Sequence, residues 1–268
     1  MKDSHVHTNI SHDGISKIED YFEHAKEKNI DEITFTEHYD DYYGIITNLK
    51  TLDVRKYQEI YYRVKDDSKV KSNFGIEIGL QPCEGVYRQI KTMVKYVDFD
   101  FIIGSSHITD RKDMAMDKSF FEGLTRKEAY LKYFKEVLAN IKKYNNEFDV
   151  YGHLDYVVRY GGYLEKKIEY NEFREILDEI LINLIRKDKG LEINTSGIRY
   201  GLGAPHPNKE ILKRYKELGG TIITVGSDAH KVEDLGSNFD IAFEILKDCG
   251  FTEYAVFHKR EPEFVKIK

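Results

Sequence analysis

Short runs of hydrophobic residues alternate with longer amphipathic segments along this chain, and that alternation predicts its secondary structure. The runs are bounded by polar residues and glycines, and their lengths suit buried β-strands. The longer segments carry apolar residues at helical spacing, as Ile18, Phe22 and Ala25 do. We predict seven strands, over residues 3–8, 32–36, 73–79, 99–106, 149–152, 191–194 and 221–226.

A helix is predicted after each of these strands, with Ser16 as the N-cap of the first helix. A further short strand is predicted over residues 254–257, and residues 108–125 form a long irregular segment of the kind that often binds ligands. Repetition of strand, loop and helix favours a parallel sheet with the helices outside it. The predicted helices cover residues 18–28, 54–65, 89–97, 126–144, 170–189, 209–218 and 239–249.

Side chains that can bind metal ions follow six of the seven predicted strands. Only a closed ring of strands brings so many strand ends to one point, whereas an open sheet binds ligands mainly at a switch point. We therefore predict a distorted (β/α)7 TIM-like barrel, with residues 1–268 as a single domain. The candidate ligands are His5, His7, Asp13, His38, Glu77, His107, His153, Asp228 and His230.

Nine nitrogen and oxygen donors are too many for one ion, because a catalytic zinc typically takes three or four protein ligands. The sequence therefore predicts two or three divalent transition metals. Mixed imidazole and carboxylate ligands suit zinc, manganese or iron. His5 and His7 are two residues apart, so on a strand both imidazoles point the same way. The carboxylate of Glu77 has two oxygens and is the natural bridge between ions.

The composition of the chain limits the classes of binding partner and the cellular location that we expect. The chain has 268 residues and a formal charge of −6, with no basic stripe, so a nucleic-acid partner is not expected. No apolar run approaches the roughly 20 residues of a membrane helix, so no membrane partner is expected either. Two cysteines form no disulfide framework, and the first residues do not resemble a signal peptide, which favours a cytoplasmic protein. The oligomeric state is left open.

The ordered set of motifs in this chain resembles the polymerase and histidinol phosphatase (PHP) family. The match spans positions 5 to 230. The resemblance implies a distorted (β/α)7 barrel with a trinuclear metal centre. The motifs are His5-Val6-His7, Asp13, Thr36-Glu37-His38, Gly75-Ile76-Glu77, Gly104-Ser105-Ser106-His107, Gly152-His153-Leu154-Asp155 and Ser227-Asp228-Ala229-His230.

The same resemblance implies how the ligands divide among three metals. Some family members have histidine where this chain has Asp13, and a carboxylate there favours iron or manganese over zinc. By position, the first metal takes His5, His7, Glu77 and Asp228, the second takes Asp13, His38 and His230, and the third takes Glu77, His107 and His153.

The resemblance further implies a metal-dependent phosphomonoesterase in which a metal-bound hydroxide attacks phosphorus. The chain is similar to the histidinol phosphatase branch in its length and in the segment 152–155, so L-histidinol phosphate is the expected substrate, in histidine biosynthesis. Three alternatives stay open: a phosphoesterase acting on another small phosphate ester or nucleotide, a metal-dependent amidohydrolase, and a non-catalytic PHP module.

Two arginines on loops that follow ligand-bearing strands, Arg159 and Arg199, are candidates for binding the substrate phosphate. The planar fork of arginine matches phosphate oxygens. Together with Asp228 and His230 they form the predicted catalytic set. An amine on the substrate would need a carboxylate, for which Glu37, Glu84 and Asp155 are candidates, and His206 is a further candidate for reaching the substrate.

Overall fold

Seven parallel strands form the barrel that the sequence predicts. A computed structural model of the chain describes residues 1–41, 49, 51–67, 69–144 and 146–268. The strands pair in the order β1-β2-β3-β4-β7-β8-β9. They are β1 (Lys2–Val6), β2 (Glu32–Tyr39), β3 (Lys71–Gly79), β4 (Phe101–Ser105), β5 (Ile108–Thr109), β6 (Lys112–Asp113), β7 (Val150–Tyr151), β8 (Gly190–Asn194), β9 (Ile223–Gly226), β10 (Glu253–His258) and β11 (Glu261–Lys266).

The barrel is nearly closed between its first and last strands. Val6 and Ala229 form a parallel bridge, and the His7 backbone N–H donates to the Ala229 carbonyl at 2.8 Å. The buried carboxylate of Asp3 strengthens this seam, because it accepts from the N–H of Ser227 at 3.0 Å and from its hydroxyl at 2.5 Å. The seam places the residues after β9 beside those after β1.

Helices surround the barrel at the predicted positions, which confirms the predicted fold class. They are α1 (Ile18–Glu27), α2 (Val54–Val64), α3 (Glu84–Tyr96), α4 (Arg126–Lys143), α5 (Arg174–Arg186), α6 (Ser196–Arg199), α7 (Lys209–Glu217) and α8 (Phe239–Asp248). The predicted N-cap of α1 was wrong: Lys17 occupies that position, and the Ser16 hydroxyl accepts from the backbone N–H of Val232 at 3.1 Å instead.

Two predicted irregular regions contain short elements. Residues 108–125 include the hairpin β5–β6 and a 3₁₀ turn at Lys118–Phe121, and the loop after β8 contains α6. The long loop predicted between β2 and α2 lies partly outside the described residues. Helix α3 begins five residues before its predicted start at residue 89. None of these differences moves a candidate ligand off the ends of the strands.

The antiparallel hairpin β10–β11 packs against the end of the barrel where the parallel strands begin. The candidate ligands lie at the other end, where the strands finish. The ring of Phe257 stacks on that of Phe101 with centroids 5.0 Å apart. The guanidinium of Arg260 binds the carboxylate of Asp149 at 2.7 Å. Because these contacts join the hairpin to β4 and β7, we propose that residues 1–268 form one domain. Within the described residues, no helix is both long and apolar enough to span a membrane.

Candidate metal centre

The nine candidate ligands converge at the ends of the barrel strands. Pairing between β2 and β3 sets His38 directly opposite Glu77. His5 lies within β1, and His7 lies just beyond it, with their Nε2 atoms 2.9 Å apart. The sequence prediction that these two imidazoles point the same way is therefore confirmed. Six of these side chains are buried, His38 and His230 are partly buried, and Asp13 is 43% exposed at the mouth of the site.

Glu77 is fully buried at the centre of the cluster and presents each oxygen to a different set of imidazoles. Its Oε1 atom lies 3.2 Å from Nε2 of His107 and 2.8 Å from Nε2 of His153. Its Oε2 atom faces three more nitrogens, Nδ1 of His38 at 3.0 Å, Nε2 of His5 at 3.3 Å and Nε2 of His7 at 3.4 Å. This two-sided arrangement is what a bridging carboxylate requires.

Metal binding explains the arrangement of these side chains better than hydrogen bonding among them does. Within the described residues, the buried Oε2 atom of Glu77 has no hydrogen-bond partner, although three imidazole nitrogens surround it. A buried carboxylate oxygen normally accepts hydrogen bonds, and leaving it without them is unfavourable. Oxygen and nitrogen lone pairs converging on one point are instead the ligand set of zinc, manganese or iron.

Two further carboxylates complete the cluster on the side of the barrel seam. The Oδ1 atom of Asp228 lies 3.4 Å from Nε2 of His7 and 3.6 Å from Nε2 of His5. The Oδ2 atom of Asp13 lies 3.2 Å from Nε2 of His230 and 3.6 Å from Nε2 of His38. The structure therefore brings together all nine residues that the sequence predicted.

Hydrogen bonds on the outer side of three imidazoles fix which nitrogen faces the cluster. Nδ1 of His5 lies 2.5 Å from the Glu192 carboxylate, and Nδ1 of His107 lies 3.1 Å from that of Asp40. Nδ1 of His230 lies 3.0 Å from the backbone carbonyl of Asp228. These oxygens only accept, so each Nδ1 carries a proton, and Nε2 is the nitrogen that can offer a lone pair to a metal.

Glu192 and Asp40 were not predicted from the sequence. Glu192 lies on β8 between two buried apolar residues and is itself 1% exposed. A charged residue inside an apolar strand was the available signal, since a buried carboxylate needs partners. Asp40 follows His38 by two residues, and no spacing rule indicated that it would face His107.

Glu37, a candidate for binding a substrate amine, is fully buried and holds the loop after β1 instead. Its carboxylate accepts from the hydroxyls of Thr8 and Ser11 at 2.6 and 2.5 Å and from their backbone N–H groups. Burial raises the pKa of Glu37, although these hydrogen bonds oppose the rise. Glu84 lies at the start of α3, where it pairs with Arg88 and Lys143.

Arg159 reaches the cluster, and its guanidinium is almost enclosed. The side chain is 7% exposed, and the carbon of its guanidinium lies 5.0 and 4.3 Å from the ring centroids of Tyr156 and Tyr200. Its Nη2 atom lies 3.4 Å from Oδ2 of Asp228 and also donates to the Ser196 hydroxyl. Burial opposes the charge, but the Asp228 carboxylate outweighs it and raises the pKa of Arg159.

Arg199 lies on the other side of Asp228 and binds mainly the backbone. Its guanidinium donates to the carbonyl of Ser227 at 3.1 Å and to that of Asp228 at 2.7 Å. Its Nε atom lies 3.3 Å from the carboxylate of Asp234. These contacts hold the turn that carries Asp228 toward the cluster.

Neighbouring charges decide the protonation of the cluster when metal is absent. Burial favours neutral imidazoles, yet Glu192, Glu77 and Asp228 raise the pKa of His5 well above its ordinary value. In the same way, burial is outweighed by Asp40 and Glu77, which raise the pKa of His107 to about 10. The surrounding imidazoles in turn hold the pKa of Glu77 well below its usual range, against the effect of burial.

Zinc is therefore expected to stabilise the protein more as pH rises between about pH 6 and pH 8. Imidazolium groups with raised pKa values stabilise the metal-free fold at pH below about 6.5, and that contribution is lost as pH rises toward the pKa of His107. Metal binding needs neutral imidazoles, so it releases protons and tightens about tenfold per pH unit for each proton released. Thermal unfolding with and without zinc across this pH range measures the effect. A zinc-induced shift in Tm that is the same at every pH would contradict it.

The fold and the cluster together define a class: a nearly closed α/β barrel with a multi-ligand cluster of metal-binding side chains at the carboxyl ends of its strands. Comparison with known families narrows that class. A model of the PHP domain matches residues 3–196, and the chain belongs to this family. The resemblance seen in the sequence motifs is thereby confirmed.

Relatives along the whole chain carry one common name. The chain is 31% identical over 265 residues to a probable histidinol-phosphatase of Clostridium acetobutylicum, covering 96% of this chain and 97% of the relative. It is 32% identical over 257 residues to the histidinol-phosphatase of Lactococcus lactis, covering 95% and 93%.

Solved structures agree with the fold. The crystal structure of histidinol phosphate phosphatase from Lactococcus lactis, complexed with zinc, L-histidinol and phosphate, matches with a TM-score of 0.87 and 30% identity, and the match covers 98% of each chain. A putative histidinol phosphatase from Listeria monocytogenes matches with a TM-score of 0.77 at 20% identity, over 90% of this chain and 99% of that one, which supports the fold alone.

Proposed function

We propose that this protein is a metal-dependent phosphatase that hydrolyses L-histidinol phosphate to L-histidinol and phosphate, a step of histidine biosynthesis. The observation that carries the proposal is the convergence of nine metal-binding side chains in one cluster, in which five imidazoles surround the two oxygens of Glu77. The relative from Lactococcus lactis, which binds zinc, L-histidinol and phosphate, supports the choice of substrate.

The distances support a division of the ligands among two or three ions of zinc, manganese or iron. Glu77 belongs to two of the three proposed sets, because each of its oxygens faces a different group of imidazoles. One set is His5, His7, Glu77 and Asp228, the second is Asp13, His38 and His230, and the third is Glu77, His107 and His153. When bound, such ions supply positive charge to phosphoryl oxygens and lower the pKa of a coordinated water.

The protein's own side chains then bind and orient the phosphate ester. Arg159 extends a buried guanidinium toward Asp228, at the edge of the cluster, and a charge-assisted hydrogen bond to phosphate is strong in such a poorly hydrated setting. The imidazoles of the cluster, in particular His5, hold the pKa of Asp228 well below its usual range, against the effect of burial. Asp228 is therefore ionised and can serve as a ligand at the cluster. The Nδ1–H of His230 is bound to the Asp228 carbonyl, so His230 faces the cluster through Nε2.

Phosphate release from L-histidinol phosphate, measured beside an aryl phosphate and a nucleotide, tests the proposal. Metals should be counted on the same sample. We expect two to three metals per chain and a kcat/KM for L-histidinol phosphate at least about 100-fold above the others, because an enzyme built for one ester discriminates by a few kcal/mol of transition-state binding.

The other outcomes of this assay would each support a different function. Equal, slow release from all three esters would keep the phosphatase and reject the substrate. Stoichiometric metal without any phosphate release would favour an amidohydrolase or a non-catalytic PHP module.

Arg159→Ala is expected to lower kcat/KM by about tenfold or more, since a hydrogen bond to a charged group is worth about 1.5–3 kcal/mol. Arg199→Ala is expected to lower kcat/KM by a similar factor for another reason, because Arg199 holds the backbone that carries Asp228 to the cluster. The two variants should differ in metal content. Arg199 holds the backbone of Asp228, so its loss should also reduce bound metal, whereas Arg159→Ala should keep it. Steady-state kinetics and metal analysis on one sample measure both effects.

A matched control is Arg88→Ala, which removes an arginine that is 77% exposed on α3 and pairs with Glu84. This variant should have unchanged kinetics. Unchanged kinetics in Arg159→Ala as well would remove Arg159 from the phosphate site.

A further inference from the structure

A buried chain of hydrogen bonds leads from Asp155 through His206 to Arg159, the arginine proposed to bind phosphate. Nδ1 of His206 is bonded to the carboxylate of Asp155, and Nε2 of His206 lies 3.0 Å from Nε of Arg159. His206 is 1% exposed and Asp155 is 3% exposed. The three residues come from different parts of the chain, because Asp155 and Arg159 follow β7 whereas His206 follows α6.

The chemistry of arginine fixes the proton on His206. An Arg Nε atom can only donate, so the Nε2 atom of His206 must be the acceptor in this contact. The imidazole proton is then on Nδ1, where it is donated to the Asp155 carboxylate. Both ring nitrogens are used, and only one neutral tautomer satisfies both partners.

The backbone of His206 is held as firmly as its ring. Its N–H donates to the carbonyl of Asn194 at 2.8 Å, and its carbonyl accepts from the Asn194 N–H at 2.7 Å. Asn194 is the last residue of β8, so this pairing fixes His206 to the barrel itself. The ring therefore presents a fixed acceptor to Arg159.

The nitrogen next to Nε on the same edge of the guanidinium, Nη2, faces the cluster. Nη2 of Arg159 donates to the Ser196 hydroxyl and lies 3.4 Å from Asp228, while the rings of Tyr156 and Tyr200 pack close to the guanidinium. A free arginine side chain samples many rotamers, and most of them do not place the guanidinium where it can bind an anion. Sampling these rotamers weakens binding of the anion. A fixed acceptor at Nε removes that freedom.

We propose that His206 and Asp155 are positioning residues that orient the guanidinium of Arg159 for the phosphate of the substrate. This inference rests on the proposed function, in which Arg159 binds that phosphate. Asp155 selects the tautomer of His206, and His206 sets the plane of Arg159. Neither residue needs to touch the substrate.

A double-mutant cycle separates positioning from a general structural role. His206→Asn keeps an amide where the Nδ1 edge lies but is too short to reach Arg159. We expect it to lower kcat/KM about tenfold in the wild-type background and by less than about twofold in Arg159→Ala, because its effect passes through Arg159. His206→Gln, whose amide oxygen reaches the Nε2 position, should restore activity to within about threefold of wild type.

Two kinetic outcomes would overturn the inference. If His206→Asn lowers kcat/KM equally in both backgrounds, His206 acts independently of Arg159. If His206→Asn and His206→Gln are equally impaired, the acceptor at Nε2 is not what matters.

A measurement that needs no turnover keeps this test separate from that of the proposed function. The ¹⁵N chemical shifts of the imidazoles in zinc-loaded protein report which nitrogen carries each proton, and loss of a signal in His206→Asn assigns this histidine among the ten. We expect the His206 proton on Nδ1 and a change in the Nε2 shift in Arg159→Ala. A proton on Nε2 would refute the inference even in an active phosphatase. Failure of the wild type to release phosphate would refute the proposed function and the role at the substrate phosphate, even with the expected tautomer of His206.

Discussion

Glu77→Gln is expected to lose at least one metal per chain and to lower kcat/KM by about 10³ or more. The substitution keeps the shape of the side chain but replaces one oxygen with an NH₂ group, which cannot coordinate a metal. Whichever way the amide turns, one of the two groups of imidazoles around Glu77 then loses its shared ligand. Charge supplied by a metal ion is worth several kcal/mol in the transition state, and 1.36 kcal/mol is tenfold in rate.

Metal analysis and steady-state kinetics on the same preparation test this prediction. A matched control is Glu179→Gln, which changes an exposed carboxylate that pairs with Lys142 on the outer helices. The control should keep its metals and its rate. Full metal content with wild-type kinetics in Glu77→Gln would show that Glu77 does not bridge ions.

Glu192→Gln is expected to weaken metal binding by about 10- to 100-fold, the usual result of removing a carboxylate that orients a metal-binding histidine. The two oxygens of Glu192 accept from three donors: Nδ1–H of His5 at 2.5 Å, the His153 backbone N–H at 2.9 Å and the Asn194 amide at 3.1 Å. An amide in this position always turns an NH₂ group toward one of these donors. Even the isosteric variant therefore cannot restore the contacts.

Competition with a chelator measures the change in zinc affinity. The control is Glu32→Gln, which alters a carboxylate that is equally buried but lies at the start of β2, where it binds Lys2 and Asn73. This control should change stability without changing zinc affinity. Wild-type zinc affinity in Glu192→Gln would rule out a role for Glu192 in orienting His5.

The sequence was informative where a local pattern carries the information. Apolar runs predicted the seven barrel strands, and the position of each ligand after a run predicted that the ligands meet. The last strand was missed because Glu261-Pro262-Glu263 lacks an apolar pattern, and β11 is a mostly exposed strand that pairs only with β10. The start of α3 was misplaced because its first turn contains Gly85, a poor helix former.

Contacts between residues that are far apart in the sequence could not be predicted in the same way. Glu192 meets His5 across 187 positions, and His206 meets Asp155 across 51. Neither pair has a spacing that could signal the contact. The resemblance to a family indicated the ligands, but the orientation of each imidazole depends on which carboxylate or carbonyl lies behind it.

The hairpin β10–β11 has a consequence for how this enzyme can evolve. It covers the end of the barrel where the strands begin, through Phe257 and the Arg260–Asp149 pair, whereas the loops around the cluster lie at the other end. Changes in the loops around the cluster can therefore alter which ester is bound without disturbing the hairpin, and substitutions in the hairpin can change thermal stability without altering the metal site. In a laboratory selection, adaptation to a hotter host and adaptation to a new ester should thus accumulate in separate stretches of the gene.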